Sequence, residues 1–419
     1  MAKIKVGVFG AYRGMTMISV LAGHPDAELV AVCDKYEPAL DKVRALAEEH
    51  GVQVACYTDF EDFFLHEMDA VVLANYANEH APFAVRLLHS GRHVLSEVLP
   101  CQCMAEAVAL IEAVEKSGKV YAYAENYCYM WHTFEMWRRY KQGDIGEITY
   151  GEGEYIHDCS AIWPSITYGD PDHWRNRMFP NFYCTHSVGP LLAIAGDHRP
   201  VRVTGFVAAP NHGELSLGSR TGGSPALEMV TLDNGAILKS IHGGLKREPG
   251  SVNYELYGTK GCIESQRVGE EILNVYREGE KLCVGEMTSY KPEPFISPDL
   301  AKGFATHGGS DFYATHFFLQ KILGRPEGDE WSIDVYKAVD MGICGILAYR
   351  SVLNGGAPVE IPNLRDPKER ERFRSDFACT DPAVAGDQLL PTLPGGTPDI
   401  PAEVYERVRQ LWLEGKNAE

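Results

Sequence analysis

The sequence predicts an α/β chain in two parts: an N-terminal doubly wound parallel sheet, then an α+β domain built on an open, mainly antiparallel sheet. From Lys3 to Ala124, short apolar runs alternate with amphipathic stretches of helical period. Past Gly143-Asp144-Ile145-Gly146-Glu147-Ile148 that rhythm stops, and strand-like runs follow one another through turns such as Asp233-Asn234-Gly235 and Gly258-Thr259-Lys260-Gly261. Strands separated by helix-length crossovers run parallel, whereas strands joined by short turns pair antiparallel. At 419 residues, 45% hydrophobic and 23% charged, the chain has the size and mix for two ordinary globular cores.

In order, Lys3 to Phe9 is a strand ending at Gly10, a helical stretch runs through Ile18 and Leu21, and Ala27 to Asp34 is the next strand. Pro38 to His50, Glu79 to Ser90 and Met104 to Ser117 repeat the helical period, with strands at Asp69 to Ala74, His93 to Leu95 and Lys119 to Ala124 between or after them. The second part reads as strands over Thr149 to His157, Val201 to Ala208, Met229 to Leu232, Ile237 to His242, Val252 to Gly258 and Ile272 to Arg277, with helices at Asp311 to Leu323 and Ser332 to Leu353. From Pro358 the chain is rich in Pro, Gly and Asp until a last helix, Pro401 to Leu413. Its stripe of Val404, Val408, Leu411 and Trp412 predicts packing back on the body. The domain boundaries expected are 1–124, 125–357 and 358–419, and there is no internal repeat.

Composition narrows the partners. A formal net charge of -19 repels phosphate backbones and anionic lipid, so neither nucleic acid nor membrane is an expected partner. The opening residues run straight into a strand without a signal-peptide pattern, and no uncharged run reaches the length of a membrane-spanning helix. A cytoplasmic protein is the expectation. Eleven cysteines, an odd count scattered through apolar segments, suit reduced thiols; Cys101-Gln102-Cys103 has no second pair at zinc-site spacing, so no metal is expected. The open sheet face is a natural subunit contact, and a homo-oligomer is expected.

A helix starting just after the first strand offers unpaired N–H groups and a positive dipole end to a pyrophosphate, and glycines permit close approach. The candidates are Gly7, Gly10 and Gly14. The spacing departs from G-x-G-x-x-G, because Tyr12 stands at the second glycine and Gly14 comes one residue early. Asp34, ending the second strand, is the carboxylate that accepts ribose hydroxyls and repels a 2′-phosphate. A Rossmann domain binding NAD rather than NADP follows, with Lys35 beside that carboxylate.

On these residues the chain resembles the Gfo/Idh/MocA oxidoreductase family. The resemblance covers about the first 350 residues, on Val6-Gly7-Val8-Phe9-Gly10, Ala74-Asn75 with Asn78 and His80, Gly91-Arg92-His93-Val94-Leu95-Ser96-Glu97 and Gly143-Asp144-Ile145-Gly146-Glu147. Within the family it is similar to the NAD-dependent glycosidases of glycoside hydrolase family 109. It shares Glu125-Asn126, Tyr155-Ile156-His157-Asp158, Trp174-Arg175, Tyr183-Cys184-Thr185-His186-Ser187-Val188-Gly189-Pro190 and His307-Gly308-Gly309, and it has Glu97-Val98-Leu99-Pro100 where those members have Glu-Val-Pro and the dehydrogenases Glu-Lys-Pro. The resemblance implies that Gly10, Arg13, Gly14, Asp34, Lys35, Asn75, His80, Glu97, Val98, Asn126, Trp174 and Arg175 hold NAD. It implies that Glu125, His157, Asp158 and His307 meet the substrate. The extra Leu99 and the altered glycine turn are departures that bear on cofactor geometry.

The family's dehydrogenases use a lysine, at the position of Val98, on the alcohol whose carbon gives up hydride. Valine exchanges no proton, so His186 is the candidate, since imidazoles titrate near neutrality. Tyr183, three residues earlier, shares its face if the segment opens a helix. Once C3 of a sugar is a ketone its C2–H is acidic, and Tyr155 is the candidate to remove it. An ordinary phenol titrates near 10, so Tyr155 would need cationic help from the nicotinamide or Arg175. The predicted function is glycoside hydrolysis by transient C3 oxidation, elimination, water addition and re-reduction. The alternatives are an NAD-dependent sugar or inositol dehydrogenase and a non-catalytic NAD or sugar sensor; no carboxylate pair marks an ordinary acid/base glycosidase. Taken singly, Tyr155 reads as core, His186 as a helix brace, Trp174 as packing and Arg175 as an ion pair; the set gains weight from lying where the family surrounds its nicotinamide. His242-Gly243-Gly244 reads as a turn or a substrate-facing strand end. Arg175, Arg177, Lys246 and Arg247 would suit an anionic sugar, with surface ion pairs their commoner fate.

Overall fold

The computed structural model describes residues 3–221, 223, 225–269, 271–279, 284–304 and 306–418. The chain divides into two compact units, each assembled from separate stretches. The first is Met1–Gln102, Glu106–Glu135 and Pro292–Val339; the second is Cys103–Ala105, Met136–Lys291 and Asp340–Glu419. The sequence reading drew contiguous boundaries, whereas the chain returns to the first unit through residues 292–339.

The first unit holds a sheet of six parallel strands among the described residues: β1 (Ile4–Phe9), β2 (Ala27–Cys33), β3 (Ala55–Tyr57), β4 (Ala70–Leu73), β5 (His93–Ser96) and β6 (Tyr121–Tyr123), in the order β3-β2-β1-β4-β5-β6. Val6, Val8, Val71 and Val72 are all buried, as a sheet covered on both faces requires. The strand order reverses between β1 and β4, and ligands of such sheets bind at the carboxyl ends of the strands at that point. The helices Ala11–Gly23, Glu37–His50, His80–His89 and Met104–Ser117 are the crossovers. Glu37–His50 has Pro38 in its first turn and ends at Gly51, whose φ of 65° lets its N–H reach back to the carbonyls of Ala47 and Glu48. β3 and the short helix Phe60–Phe64, capped by the Asp59 side chain, were not read in the sequence.

The returning stretch is held by polar and apolar contacts. His24 Nε2 lies 3.0 Å from His316 Nδ1 on the helix Ser310–Ile322, and Arg325 forks onto Asp26 at 2.7 and 3.1 Å. The Tyr123 N–H donates to the Ile333 carbonyl at 2.9 Å.

The second unit is built on a sheet of nine strands among the described residues: β7 (Ile148–Ile156), β8 (Pro200–Val207), β9 (Ala226–Leu232), β10 (Ile237–Gly243), β11 (Ser251–Gly258), β12 (Gly261–Ser265), β13 (Leu273–Glu278), β14 (Gly285–Tyr290) and β15 (Val359–Glu360). Their order is β14-β13-β12-β11-β7-β10-β9-β8-β15, antiparallel except for the central pair β7 and β10. The helix Thr185–Ile194, buried along its whole length, lies on β7 and β10, and the second half of the helix Val335–Leu353 covers β8. Glycines set both contacts. A Cβ on Gly153 would enter the Ser187 carbonyl oxygen, and one on Gly205 would enter that of Ala348. The last helix, Ala402–Ala418, buries Tyr405 and Val408, with the Tyr405 hydroxyl donating to the Gly218 carbonyl at 3.0 Å and Trp412 against Tyr168. Leu411, read as part of its stripe, is exposed.

No helix among the described residues is long and apolar enough to cross a membrane. The cysteines among those residues are all free thiols.

His24, His80, His132 and His316 are buried in the first unit, and burial pulls the pKa of each down to about 4. Unfolded histidines bind protons below about 6.5, so the native state is disfavoured as pH falls from there towards 4 and keeps its full stability above. Calorimetry from pH 7.5 to 4.5 should show the first unit's transition falling faster than the second's; equal slopes would remove these imidazoles as the cause.

Candidate active site

In the first unit the predicted residues gather at the carboxyl ends of the strands. Gly10 follows β1, Asp34 follows β2, Asn75 lies just beyond β4, Glu97 follows β5, and Glu125 and Asn126 lie just beyond β6. Gly10 has φ of 101°, and a Cβ there would run into the Ala74 carbonyl and lie 2.5 Å from the Asn75 nitrogen. Only glycine fits that approach. Gly14 packs its helix on β1, its Cβ position 2.9 Å from Val8 Cγ1, while Gly7 lies within β1 against Phe63 and Met68 and serves the core. Tyr12, in the place of the second motif glycine, points out and is 68% exposed.

Asp34 ties this turn together. Its Oδ2 accepts from the N–H groups of Ala11 (2.7 Å) and Tyr12 (3.3 Å), and its Oδ1 from that of Tyr36 (2.9 Å). A ribose would share these oxygens with the start of the helix. Lys35 lies over the Tyr76 ring, 4.5 Å from its centroid. The Asn75 carbonyl is 3.3 Å from Nε2 of buried His80, and its side-chain amide donates to Glu79. Asn75 Oδ1 is buried with no hydrogen-bond partner among the described residues. A glycine-walled cradle, an orphaned amide oxygen and a helix start at the switch point fit a dinucleotide.

Arg13 lies in the same turn. Its Nη2 meets Glu97 Oε1 at 2.5 Å and Asp311 Oδ1 at 3.2 Å, and Asp311 Oδ2 meets His307 Nδ1 at 2.6 Å. Glu97 and Asp311 are buried. Burial would raise the Asp311 pKa, but the His307 hydrogen bond and the Arg13 charge overrule it and hold it at about 2. The bond to Asp311 raises the pKa of His307 in turn. Val98 is buried and offers only its backbone N–H, 3.3 Å from Glu97 Oε2. Glu125 is fully buried and accepts from the Tyr127 N–H at 3.4 Å, forming the turn that carries Asn126.

In the second unit a row of side chains meets at the end of β7. The Tyr155 hydroxyl is 2.9 Å from His157 Nδ1, and the Tyr155 ring lies edge-on to His186 with centroids 4.7 Å apart. His186 stacks on Tyr183 at 5.4 Å and 11°. Tyr183 precedes the helix that starts at Thr185, so the two rings do share a face. Arg175 Nη1 donates to the Tyr183 hydroxyl at 3.0 Å and its guanidinium lies over Trp174, 4.4 Å from the ring centroid. Arg175, expected to help Tyr155, is thus bound to Tyr183. Asp158 accepts from Ser160 and Asn211 and pairs with Lys246 at 2.5 Å, which outweighs its burial and lowers its pKa. Arg177 bonds Asp172, and Arg247 bonds the carbonyls of Pro249 and Gly250. All four cations read as an anion pocket already hold protein acceptors.

Several site residues carried no sequence signal. Glu214 is buried under the turn after β7, accepting from the Cys159 N–H at 3.2 Å, and burial raises its pKa to about 7. Glu228, 1% exposed, accepts from Asn181 Nδ2 and Ser240 Oγ, each at 2.6 Å, and Ser240 Oγ is 2.7 Å from Ser187 Oγ. His242 is buried with Nε2 3.1 Å from the Pro180 carbonyl, so it braces the site instead of facing a substrate. Glu214, on the short helix His212–Leu215, and Glu228, in β9, are solitary residues that only the folded chain brings to the site.

Fold and site together define a class: a Rossmann dinucleotide-binding unit joined in one chain to an α+β unit with a tyrosine and histidine cluster. Residues 4–125 match the family described as "Oxidoreductase family, NAD-binding Rossmann fold", Gfo/Idh/MocA. Over those residues the chain is similar to the NAD-binding domain of that oxidoreductase family. A glycosyl hydrolase family 109 protein of Phocaeicola vulgatus is 25% identical, with 86% of this chain and 84% of that protein covered. Among solved structures, a levoglucosan dehydrogenase in complex with NADH and levoglucosan superposes with a TM-score of 0.66 at 16% identity, over 86% of this chain and 100% of that one. An oxidoreductase from Agrobacterium radiobacter in complex with NAD+, L-tartaric acid and magnesium gives 0.67 at 17% identity, over 86% and 98%.

Gly153→Ala should force the Thr185–Ile194 helix off β7 and separate His186 from Tyr155. Its expected cost is about 1–3 kcal/mol in the second unit, with loss of turnover. Gly151→Ala, whose Cβ position has neighbours at 3.2 to 3.3 Å, is the milder control. Equal melting temperatures for the two variants would show that the helix is not seated on Gly153.

Proposed function

We propose that this chain is an NAD-dependent glycoside hydrolase that cleaves its sugar without net oxidation. The observation that supports this most is the run of side chains from Arg175 through Tyr183, His186 and Tyr155 to His157, in a chain with Val98 where a dehydrogenase keeps an amine. The family 109 relatives support it at low identity.

NAD, held by the cradle of Gly10, Asp34 and Asn75, would supply a reversible hydride acceptor for C3. His186 takes the C3 hydroxyl proton, and Tyr183, fixed by Arg175, hydrogen-bonds the same edge of the sugar. The C3 ketone acidifies C2–H, Tyr155 accepts that proton, and the C1 substituent leaves as the C1–C2 double bond forms. Water then adds at C1 and the proton goes back to C2 through the same groups. Hydrolysis balances: one water is consumed, and the NAD ends as it began. The substrate class is a glycoside with a free C3 hydroxyl and a hydrogen on C2.

A panel of 4-nitrophenyl glycosides, with and without NAD in heavy water, tests this. Catalytic NAD should suffice, no NADH should accumulate, and deuterium should enter C2 of the released sugar; Tyr155→Phe should lower the rate by about 10²-fold or more. One NADH formed for each sugar oxidised would make the chain a sugar dehydrogenase instead.

A further inference from the structure

Tyr155 presents a chemical problem. A phenol with an ordinary pKa near 10 is almost wholly protonated at neutral pH, and a protonated oxygen is a poor base for C2–H. Arg175 gives its hydrogen bond to the Tyr183 hydroxyl and not to Tyr155. The Tyr155 hydroxyl instead lies 2.9 Å from His157 Nδ1.

The local chain makes this contact. Residues two apart in extended backbone put their side chains on one side. The His157 N–H donates to the Gly243 carbonyl at 3.1 Å, which carries the β7–β10 pairing one step past the strand. The imidazole is therefore held at the strand end beside the phenol. Burial lowers the His157 pKa first, and the charges of His186 and Arg175 lower it further against the opposing Glu248 and Asp158. Another neighbour is the Cys159 thiol, 3.8 Å from the same nitrogen, which burial keeps protonated by raising its pKa to about 12. His157 is thus neutral at pH 7, and a neutral imidazole accepting at Nδ1 carries its hydrogen on Nε2.

We infer that His157 is the proton acceptor behind Tyr155, turning the phenol into a relay. As the Tyr155 oxygen bonds the C2 hydrogen, its own hydroxyl proton passes to His157 Nδ1. The C2–H bond and the Tyr155 O–H bond break, and a new Tyr155 O–H bond and an Nδ1–H bond form. The C2–H electron pair becomes the C1–C2 double bond, and the C1 substituent leaves with its own pair. Tyr155 stays neutral and the imidazolium carries the charge until the proton runs back to C2. This rests on the hydrolase reading and adds the base that its second step lacks.

The test uses the NAD-loaded enzyme and the most active 4-nitrophenyl glycoside, reading two steps separately. Single-turnover NADH absorbance reports C3 oxidation; deuterium at C2 reports the relay. At saturating glycoside, His157→Asn should slow C2 deuteration about 10²-fold or more relative to its own NADH burst. Wild-type C2 exchange, normalised to the burst at each pH, should show an acid limb below the ordinary imidazole value of about 6.5, and His157→Asn should remove that limb. His157→Gly should regain exchange with added imidazole. Equal loss of burst and exchange, without imidazole rescue, would reduce His157 to a structural role. Wild-type enzyme that forms NADH but exchanges no C2 hydrogen would overturn the hydrolase reading itself, and the relay with it.

Discussion

The close seating of one helix on one strand governs the second unit. Gly153 on β7 has no side chain, so the backbone of Ser187 rests against it, and that contact sets His186 beside Tyr155 two residues further along the same face. The register adds polar pins: Gly153 lies opposite Ser240, and Ser240 opposite Glu228. Ser187 bonds Ser240, and Ser240 and Asn181 both bond Glu228. A buried carboxylate without donors would cost several kcal/mol; here Asn181, just before the Tyr183–His186 segment, donates directly, and Ser187, just after it, is linked through Ser240. Gly345 admits the Asn181 carbonyl from the other helix, since a Cβ there would collide with it. The segment bearing two of the proposed reacting groups is therefore clamped between glycines and tied to one charge.

The parallel sheet was legible because its strands are apolar runs between amphipathic helices, and Met104–Ser117 has the bounds read from its period. Ala55–Tyr57 was not, since three residues carry no period, nor was Gly261–Ser265, whose Gly-Cys-Ile-Glu-Ser lacks clear alternation. The return of residues 292–339 to the first unit was hidden for another reason. It depends on pairs such as His24 with His316 and Asp26 with Arg325, which are remote in sequence and unremarked in composition.

In the site, Tyr155, Tyr183 and His186 were legible as a motif, but the bonds among them were not. Charge proximity suggested Arg175 for Tyr155, and the fold gives it to Tyr183. Glu214 and Glu228 show the limit most sharply. A lone glutamate reads as a surface residue, and burial is decided by neighbours that the chain supplies from elsewhere in the sequence.

Charge is distributed differently in the two units. Around the dinucleotide cradle it is paired: Arg13 faces Glu97 and Asp311, and His307 Nδ1 hydrogen-bonds the other Asp311 oxygen. Where the dehydrogenases of the resemblance keep a lysine next to this glutamate, Val98 adds no charge, and Arg13 supplies a cation to Glu97. At the end of β7, the Arg175 cation is bound to Tyr183, and the other charges are kept off Tyr155 and His157. Lys246 neutralises Asp158, burial raises Glu214 toward its protonated form, and burial keeps His157 uncharged. A carboxylate there would have been a stronger resting base than a phenol, but it would also have held a permanent charge against the electron-rich ketone edge of a sugar. A phenol backed by an imidazole becomes basic only while the proton moves. That suits a C2 hydrogen whose acidity exists only during the interval in which C3 is a ketone.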